Sequence, residues 1–234
     1  MELKPTTIHD INAMVALYRP GPMETIPDYI KRKNNPKLIS YPDPRMKRYL
    51  EESYGLIVYQ YDLLFSAIEL AGYSWLEADK FRKAVGKKIP AEMMAQKEKL
   101  IEGIVKNGQS PEFAEMLWKL FEPFQAYGFN KAHAASYGLV AYQTAYLKAN
   151  YPAIYMSAVL TADSGDVDKI GVFIAECKRM HIPVLPPDVN ESFVEFAVVP
   201  TGDPKHDPIR FGMNAVKNVG TGAVEEILRG REQE

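Results

Sequence analysis

Ser74-Trp75-Leu76-Glu77-Ala78-Asp79-Lys80-Phe81-Arg82-Lys83-Ala84-Val85-Gly86-Lys87-Lys88 begins as a helix and ends as a cluster of cations. Ser74 and Glu77 stand three apart, the spacing of a capping box in which hydroxyl and carboxylate each satisfy an orphan backbone N–H. The box predicts a helix reaching about Val85. Lys80, Arg82, Lys83, Lys87 and Lys88 put five cations into nine residues with no acid among them. Positions 80, 83 and 87 share one helical face, where like charges cost about 0.2–0.5 kcal/mol per pair. Two readings stand side by side. Cations near a helix C-terminus offset the macrodipole, and Asp79, four residues before Lys83, partly neutralises the face. Alternatively the cluster is a phosphate clamp, in which Arg offers forked donors and Lys a point charge. Gly86 would let the chain bend close to the phosphates.

Outward from this helix the punctuation is that of a mainly α protein. Pro20-Gly21-Pro22 closes a first helix and Pro36 to Pro44 forms a loop, since proline cannot continue a helix. Pro90 opens a helix that runs to Asn107-Gly108, and Ser110-Pro111 restarts with a capping serine and proline at the first helical position. Residues 131 to 149 form an alanine-rich helix, and Pro152 starts the next. Residues 167 to 180 read as amphipathic, with Ile170, Phe173, Ile174 and Cys177 at helical spacing. From Pro183 the pattern turns extended, with two short strands at Phe193 to Val199 and Ile209 to Gly212 and a short helix from Thr221.

Across 234 residues, 47% apolar and 25% charged is the composition of a folded, water-soluble protein with a substantial core. The single cysteine, Cys177, rules out an intrachain disulfide or a zinc site built on several thiolates, and suits a reducing cytosol. No apolar run approaches the roughly 20 residues of a membrane span, and nothing directs export. The location expected is cytoplasmic. The net charge of -2 argues against a generic nucleic-acid coat. It divides as +2 over residues 1 to 60, +1 over 61 to 110, 0 over 111 to 160 and -5 over 161 to 234, so any basic face lies in the first half.

A second segment carries chemistry. Phe124, Tyr127 and Phe129 precede Asn130, Lys131 and His133, and Ala132, Ala134, Ala135, Ser136 and Gly138 supply small residues for close packing. Taken singly, each has an ordinary structural role. Together, Tyr and Phe offer faces on which a base can stack, Asn and Lys reach sugar or phosphate, and His133 can donate to a phosphate oxygen.

Five blocks give these features a context: Arg19-Pro20-Gly21-Pro22, Tyr54 to Gln60, Phe81 to Lys88, Tyr127 to His133 with Tyr137, and Leu185-Pro186-Pro187-Asp188. They occur in the order found in the alpha subunit of bacterial DNA polymerase III, a family of replicative DNA polymerases. Over essentially its whole length the chain resembles the fingers region of that family and the helix-hairpin-helix segment that follows. The resemblance implies a multi-helix fingers domain over residues 1–160, then a helical connector, short strands and a hairpin-like segment over 161–234. It implies that Arg82 and Lys83, with Lys87 beside them, contact the triphosphate of the incoming deoxynucleotide. Tyr127, Asn130, Lys131 and His133 would lie near the nascent base pair or its phosphates. Family members often carry two arginines where Arg82 and Lys83 stand; Lys83 keeps the charge without the bidentate geometry. They commonly place glutamate directly after the glutamine, where this chain has Tyr61, which is given no role.

Val216-Lys217-Asn218-Val219-Gly220-Thr221-Gly222, followed by Val224 and Ile227, looks like a helix-hairpin-helix, whose tight turn aims backbone N–H groups at a DNA phosphate. Lys217, Asn218, Gly220 and Gly222 are the candidate contacts. Asn218 replaces the usual glycine but tolerates the left-handed conformation. A plain glycine-rich turn is the structural alternative, and the negative charge of residues 161 to 234 makes any grip local.

Polymerases of this kind join nucleotides through two metal ions on palm aspartates. No such cluster is evident here: Asp163, Asp166 and Asp168 read as solvated loop acids. Magnesium would therefore belong to the complete enzyme, outside this chain, with no catalytic or metal residue within it. In the family the stretch Leu3-Lys4-Pro5-Thr6 lies beyond the palm, so the chain reads as a fragment that alone performs no synthesis. The partners implied are primer-template DNA, deoxynucleoside triphosphates, the palm and thumb of the same subunit, the sliding clamp and other replisome subunits, with no membrane. A non-catalytic DNA-binding or assembly module is the other reading. A hydrolase built on His133 is weak, because no activated nucleophile accompanies it at recognisable spacing.

Overall fold

In the computed structural model of the chain, the described residues are 2–19, 22–87, 90–121 and 128–231, with backbone only at 86, 87 and 90. They form eleven α-helices and one small sheet. Two compact units divide at Tyr142 and Gln143.

In the first unit, α1 (Ile8–Leu17) starts at a Thr7–Asp10 capping box and is followed by α2 (Ile26–Asn34) and the single turn α3 (Lys47–Leu50). Then come α4 (Gln60–Ala71), α5 (Trp75–Lys87), α6 (Pro90–Lys106), α7 (Pro111–Phe121) and α8 (Lys131–Asn150), the last running on past the division. Pro90, Pro111 and Pro152 open helices as read, the loop from Pro36 to Pro44 carries 3₁₀ turns at Pro36–Leu38 and Pro44–Met46, and Pro20-Gly21 lies outside the described residues. Gly72 and Gly108 end their helices at φ 71° and 89°, the left-handed conformation that glycine adopts without steric cost. The Ser110 hydroxyl accepts from the Phe113 N–H. Ser74 caps α5 as expected: its hydroxyl accepts from the Glu77 N–H at 3.3 Å, and the Glu77 carboxylate accepts from the Ser74 N–H at 2.9 Å. The helix then runs two residues past Val85.

The main core of this unit packs Leu63, Leu70, Phe81, Leu100, Ile104, Leu117, Trp118 and Phe121 from α4 to α7, all buried. A second cluster gathers Ala13, Leu17, Tyr29, Val58, Tyr59, Phe129 and Ala134. Between them they fix the N-terminus of α4 and the segment leading into α8. The small residues of α8 serve this packing: a Cβ on Gly138 would fall 1.9 Å from Asn12 Oδ1 of α1, so α8 approaches α1 only because that carbon is missing.

In the second unit, α9 (Pro152–Ala162) and α10 (Val167–Arg179) cover a three-stranded sheet in the order β1-β3-β2. β1 (Val184–Leu185) runs parallel to β3 (Ile209–Arg210), and β2 (Ala197–Val198) runs antiparallel to it. Ile170 and Cys177 face the core with Leu160, Phe196 and Ile209. The strands are shorter than the sequence suggests. The carbonyls of Phe193 and Val194 are taken instead by the N–H groups of Met213 and Asn214, which begin a 3₁₀ turn at Met213–Ala215. That turn precedes the hairpin-like segment, and α11 (Thr221–Arg231) is the helix expected from Thr221.

Candidate functional site

The basic end of α5 is organised by one carboxylate. Asp79 Oδ1 accepts from Arg82 Nε at 3.1 Å and Nη2 at 2.7 Å, while Lys83 Nζ lies 2.7 Å from Asp79 Oδ2. Hydrogen bonds from Lys83 and Arg82 hold the Asp79 carboxyl below the usual aspartate range. Asp79 thus neutralises this face as the first reading has it, meeting both Arg82 and Lys83. Arg82 is half-buried and Lys83 exposed. Lys87 closes the helix, with its side chain outside the described residues.

Arg82 has a second partner, on another helix. Gln60, the first residue of α4, accepts from Arg82 Nη1 at 3.4 Å. The Gln60 N–H donates to the Phe129 carbonyl at 3.0 Å, and Tyr59 and Phe129 form a parallel β-bridge. The basic end of α5 and the aromatic segment thus meet on either side of one residue.

Beyond Phe129, Asn130 caps α8: its Oδ1 accepts from the His133 N–H at 3.0 Å. The asparagine side chain is in this way committed to the helix start. The exposed His133 ring lies between Phe129 and Tyr137, at centroid distances of 5.4 and 4.6 Å. The Arg19 guanidinium lies 3.9 Å from the centre of the Phe129 ring, a cation–π contact. Lys131 pairs with Glu52 at 2.6 Å and stands 5.7 Å from the centre of the Tyr59 ring; His9 shares the Glu52 carboxylate at 3.4 Å. Tyr127 lies outside the described residues.

Beneath these groups Asp62 is buried, and its Oδ2 accepts from the N–H groups of Val58 and Tyr59 at 2.8 and 2.7 Å. Burial pushes its carboxyl up to about 7, against the opposing pull of those two N–H groups and the Lys131 charge. A cavity of about 310 Å³ beside it is lined by Tyr49, Tyr61, Asp62, Phe65, Lys131, Ala132 and Ala135. Acid three residues into a helix, facing the residue before it, is a readable capping signal. Gln60, Glu52 and Arg19 carry no comparable local signature.

In the second unit Lys217, Asn218, Gly220 and Gly222 all lie exposed at the turn into α11. Asn218 adopts φ 67°, the left-handed conformation its replacement of glycine requires. Thr221 Oγ1 donates to Asn214 Oδ1 at 3.1 Å, tying the helix start back to the 3₁₀ turn. The loop acids are engaged locally: Asp166 caps α10, and Asp163 pairs with Lys169 at 2.7 Å. Among the described residues no three His, Cys, Asp or Glu side chains are grouped to hold a metal ion, and no helix is long and apolar enough to cross a membrane.

Comparison with known proteins matches the sequence to a family. Residues 1–108 match the bacterial DNA polymerase III alpha subunit finger domain, and residues 181–234 match a helix-hairpin-helix motif. The chain is 46% identical over 230 residues to the DNA polymerase III subunit alpha of Chlamydia pneumoniae, covering 98% of this chain and 18% of that protein. It is 45% identical over 236 residues to that of Thermus aquaticus, covering 99% and 19%. To that of Borreliella burgdorferi it is 44% identical over 232 residues, covering 99% and 20%. The chain thus spans about a fifth of the length of these relatives.

Proposed function

The chain belongs to the bacterial DNA polymerase III alpha subunit family, and from that premise we propose that it grips the incoming nucleotide in a replicative DNA polymerase. Arg82 and Lys83 take the triphosphate, with Lys87 extending the cationic end. Asn130, Lys131 and His133, together with Tyr127, face the nascent base pair or its phosphates. The observation that carries this reading is the meeting of Arg82 and the Phe129 segment on Gln60, which puts phosphate-binding and base-stacking chemistry on one small framework.

The chemistry itself belongs elsewhere in the subunit. Nucleotidyl transfer by this class requires metal ions that stabilise the attacking and leaving oxygens, and the described residues offer no donor set for them. Following the family resemblance, magnesium is assigned to palm aspartates outside this chain. The contribution here is to bind and orient the nucleotide, so that charge on the phosphates is met by preorganised cations. Lys217, Asn218, Gly220 and Gly222 add a local contact to primer-template DNA through the exposed start of α11. Palm and thumb, the sliding clamp and other replisome subunits are the partners this role brings, in the cytoplasm. The proposed division of labour is fingers over residues 1–160 and connector and hairpin over 161–234; the finger-domain match lies within the first part and the hairpin match within the second.

In the complete polymerase subunit, Arg82→Ala with Lys83→Ala should weaken nucleotide affinity at least tenfold, the loss of charge-assisted hydrogen bonds, while primer-template affinity changes far less. The reverse outcome would make the chain a DNA-binding or assembly module, a reading favoured by the left-handed Asn218 at the hairpin turn.

A further inference from the structure

Gln60 has three relations that no family motif accounts for, and all lie within the first unit. Its side-chain oxygen accepts from Arg82 Nη1 at 3.4 Å. Its backbone N–H holds the Phe129 carbonyl at 3.0 Å. Its side chain occupies space that exists only because residue 128 is glycine: a Cβ on Gly128 would fall 2.5 Å from Gln60 Cγ. We propose that Gln60 is a positioning residue for nucleotide binding, setting the plane of the Arg82 guanidinium and its register against the Phe129–His133 segment.

The chemistry of an amide suits this task. A guanidinium has five N–H donors; Asp79 takes two and Gln60 one, and five less three leaves two for a phosphate. Asp79 sits on the same helix as Arg82, so by itself it leaves the plane free to swing with that helix's side-chain torsions. Gln60 comes from a different helix and adds the second point of attachment. As a neutral acceptor it fixes the plane without cancelling another unit of the charge that the phosphate must meet, which a carboxylate there would do.

The inference rests on Arg82 being a phosphate ligand, and the test separates the two. Four proteins are compared in the complete polymerase subunit: Gln60→Met, Gly128→Ala, Arg82→Ala, and Gln60→Met combined with Arg82→Ala. The measurements are KM and kcat for the template-matched deoxynucleoside triphosphate, primer-template affinity and thermal unfolding. Gln60→Met should raise KM about tenfold, the scale of one hydrogen bond to a charged group, with kcat within about twofold and DNA affinity unchanged. In the Arg82→Ala background it should add nothing, because the group it positions is gone. Gly128→Ala, which pushes on the Gln60 side chain, should reproduce the KM effect, and it carries the test if Gln60→Met does not fold. A normal KM in both single variants at Gln60 and Gly128, or a Gln60→Met effect undiminished without Arg82, overturns the positioning role alone. An unchanged KM in Arg82→Ala overturns the nucleotide-gripping reading and this inference with it.

Discussion

Asp62 shows how far one side chain can be read from its surroundings. It is buried, caps α4 with two N–H groups on one oxygen, and has its carboxyl raised to about 7 by burial. The folded state therefore holds a proton that an unfolded aspartate releases near pH 4. That contribution to stability is complete below the unfolded value and is lost as pH rises through the folded one. Asn in its place can still accept both N–H bonds and has no charge to bury. Asp62→Asn should match the parent closely at pH 4 or below and gain on it as pH rises. By pH 8 the advantage should exceed that at pH 5 by on the order of 2–3 kcal/mol, since each pH step below the folded value costs the aspartate form about 1.4 kcal/mol. Denaturant unfolding at the two pH values checks this; a constant difference would mean the carboxyl is already ionised at pH 5.

Helices were legible because their ends are chemically marked. Ser74 with Glu77, Ser110 before Pro111, Pro90, Pro152 and Gly108 each act in the fold as their chemistry requires. Removing such a mark has a calculable effect: Ser74→Ala should cost about 1 kcal/mol, measured by thermal or denaturant unfolding, and should loosen the start of the helix that carries Arg82. The strands were less legible, because Phe193 and Val194 have strand-like side chains but give their carbonyls to Met213 and Asn214, a tertiary choice that alternation cannot reveal. The hairpin was half legible for the same reason. Asn218 announced the turn, whereas nothing local said that the element before it would be a 3₁₀ turn. At the candidate site, residues of charged or aromatic character could be nominated from sequence. Gln60 could not, since its role comes from being first in one helix while touching a second helix and a distant carbonyl.

At the scale of the whole molecule, the proposed function divides the work between this chain and the palm. Nucleotidyl transfer needs the metal-bound centre that this proposal assigns to the palm. Purified 234-residue chain, supplied with magnesium, primer-template and all four deoxynucleoside triphosphates, should therefore give no primer extension on a sequencing gel. Extended product that co-purifies with the chain and is lost in Arg82→Ala would refute the assignment. Residues 161 to 234 carry -5 against +3 for residues 1 to 110, the sum of +2 and +1, so the proposed contact with DNA through the hairpin, with Lys217 its one cation, should be local and only shallowly dependent on salt.

Asp79, finally, gives the cationic end of α5 an anion of its own. Arg82 and Lys83 are never bare; when no phosphate is present, the carboxylate one turn back already occupies them. On the proposed function, an arriving phosphate would join Asp79 at Arg82 through the two remaining N–H groups, and on leaving would return the cations to a partner already in place. If these cations grip a nucleotide as proposed, a resident carboxylate within the clasp would favour quick release over holding strength.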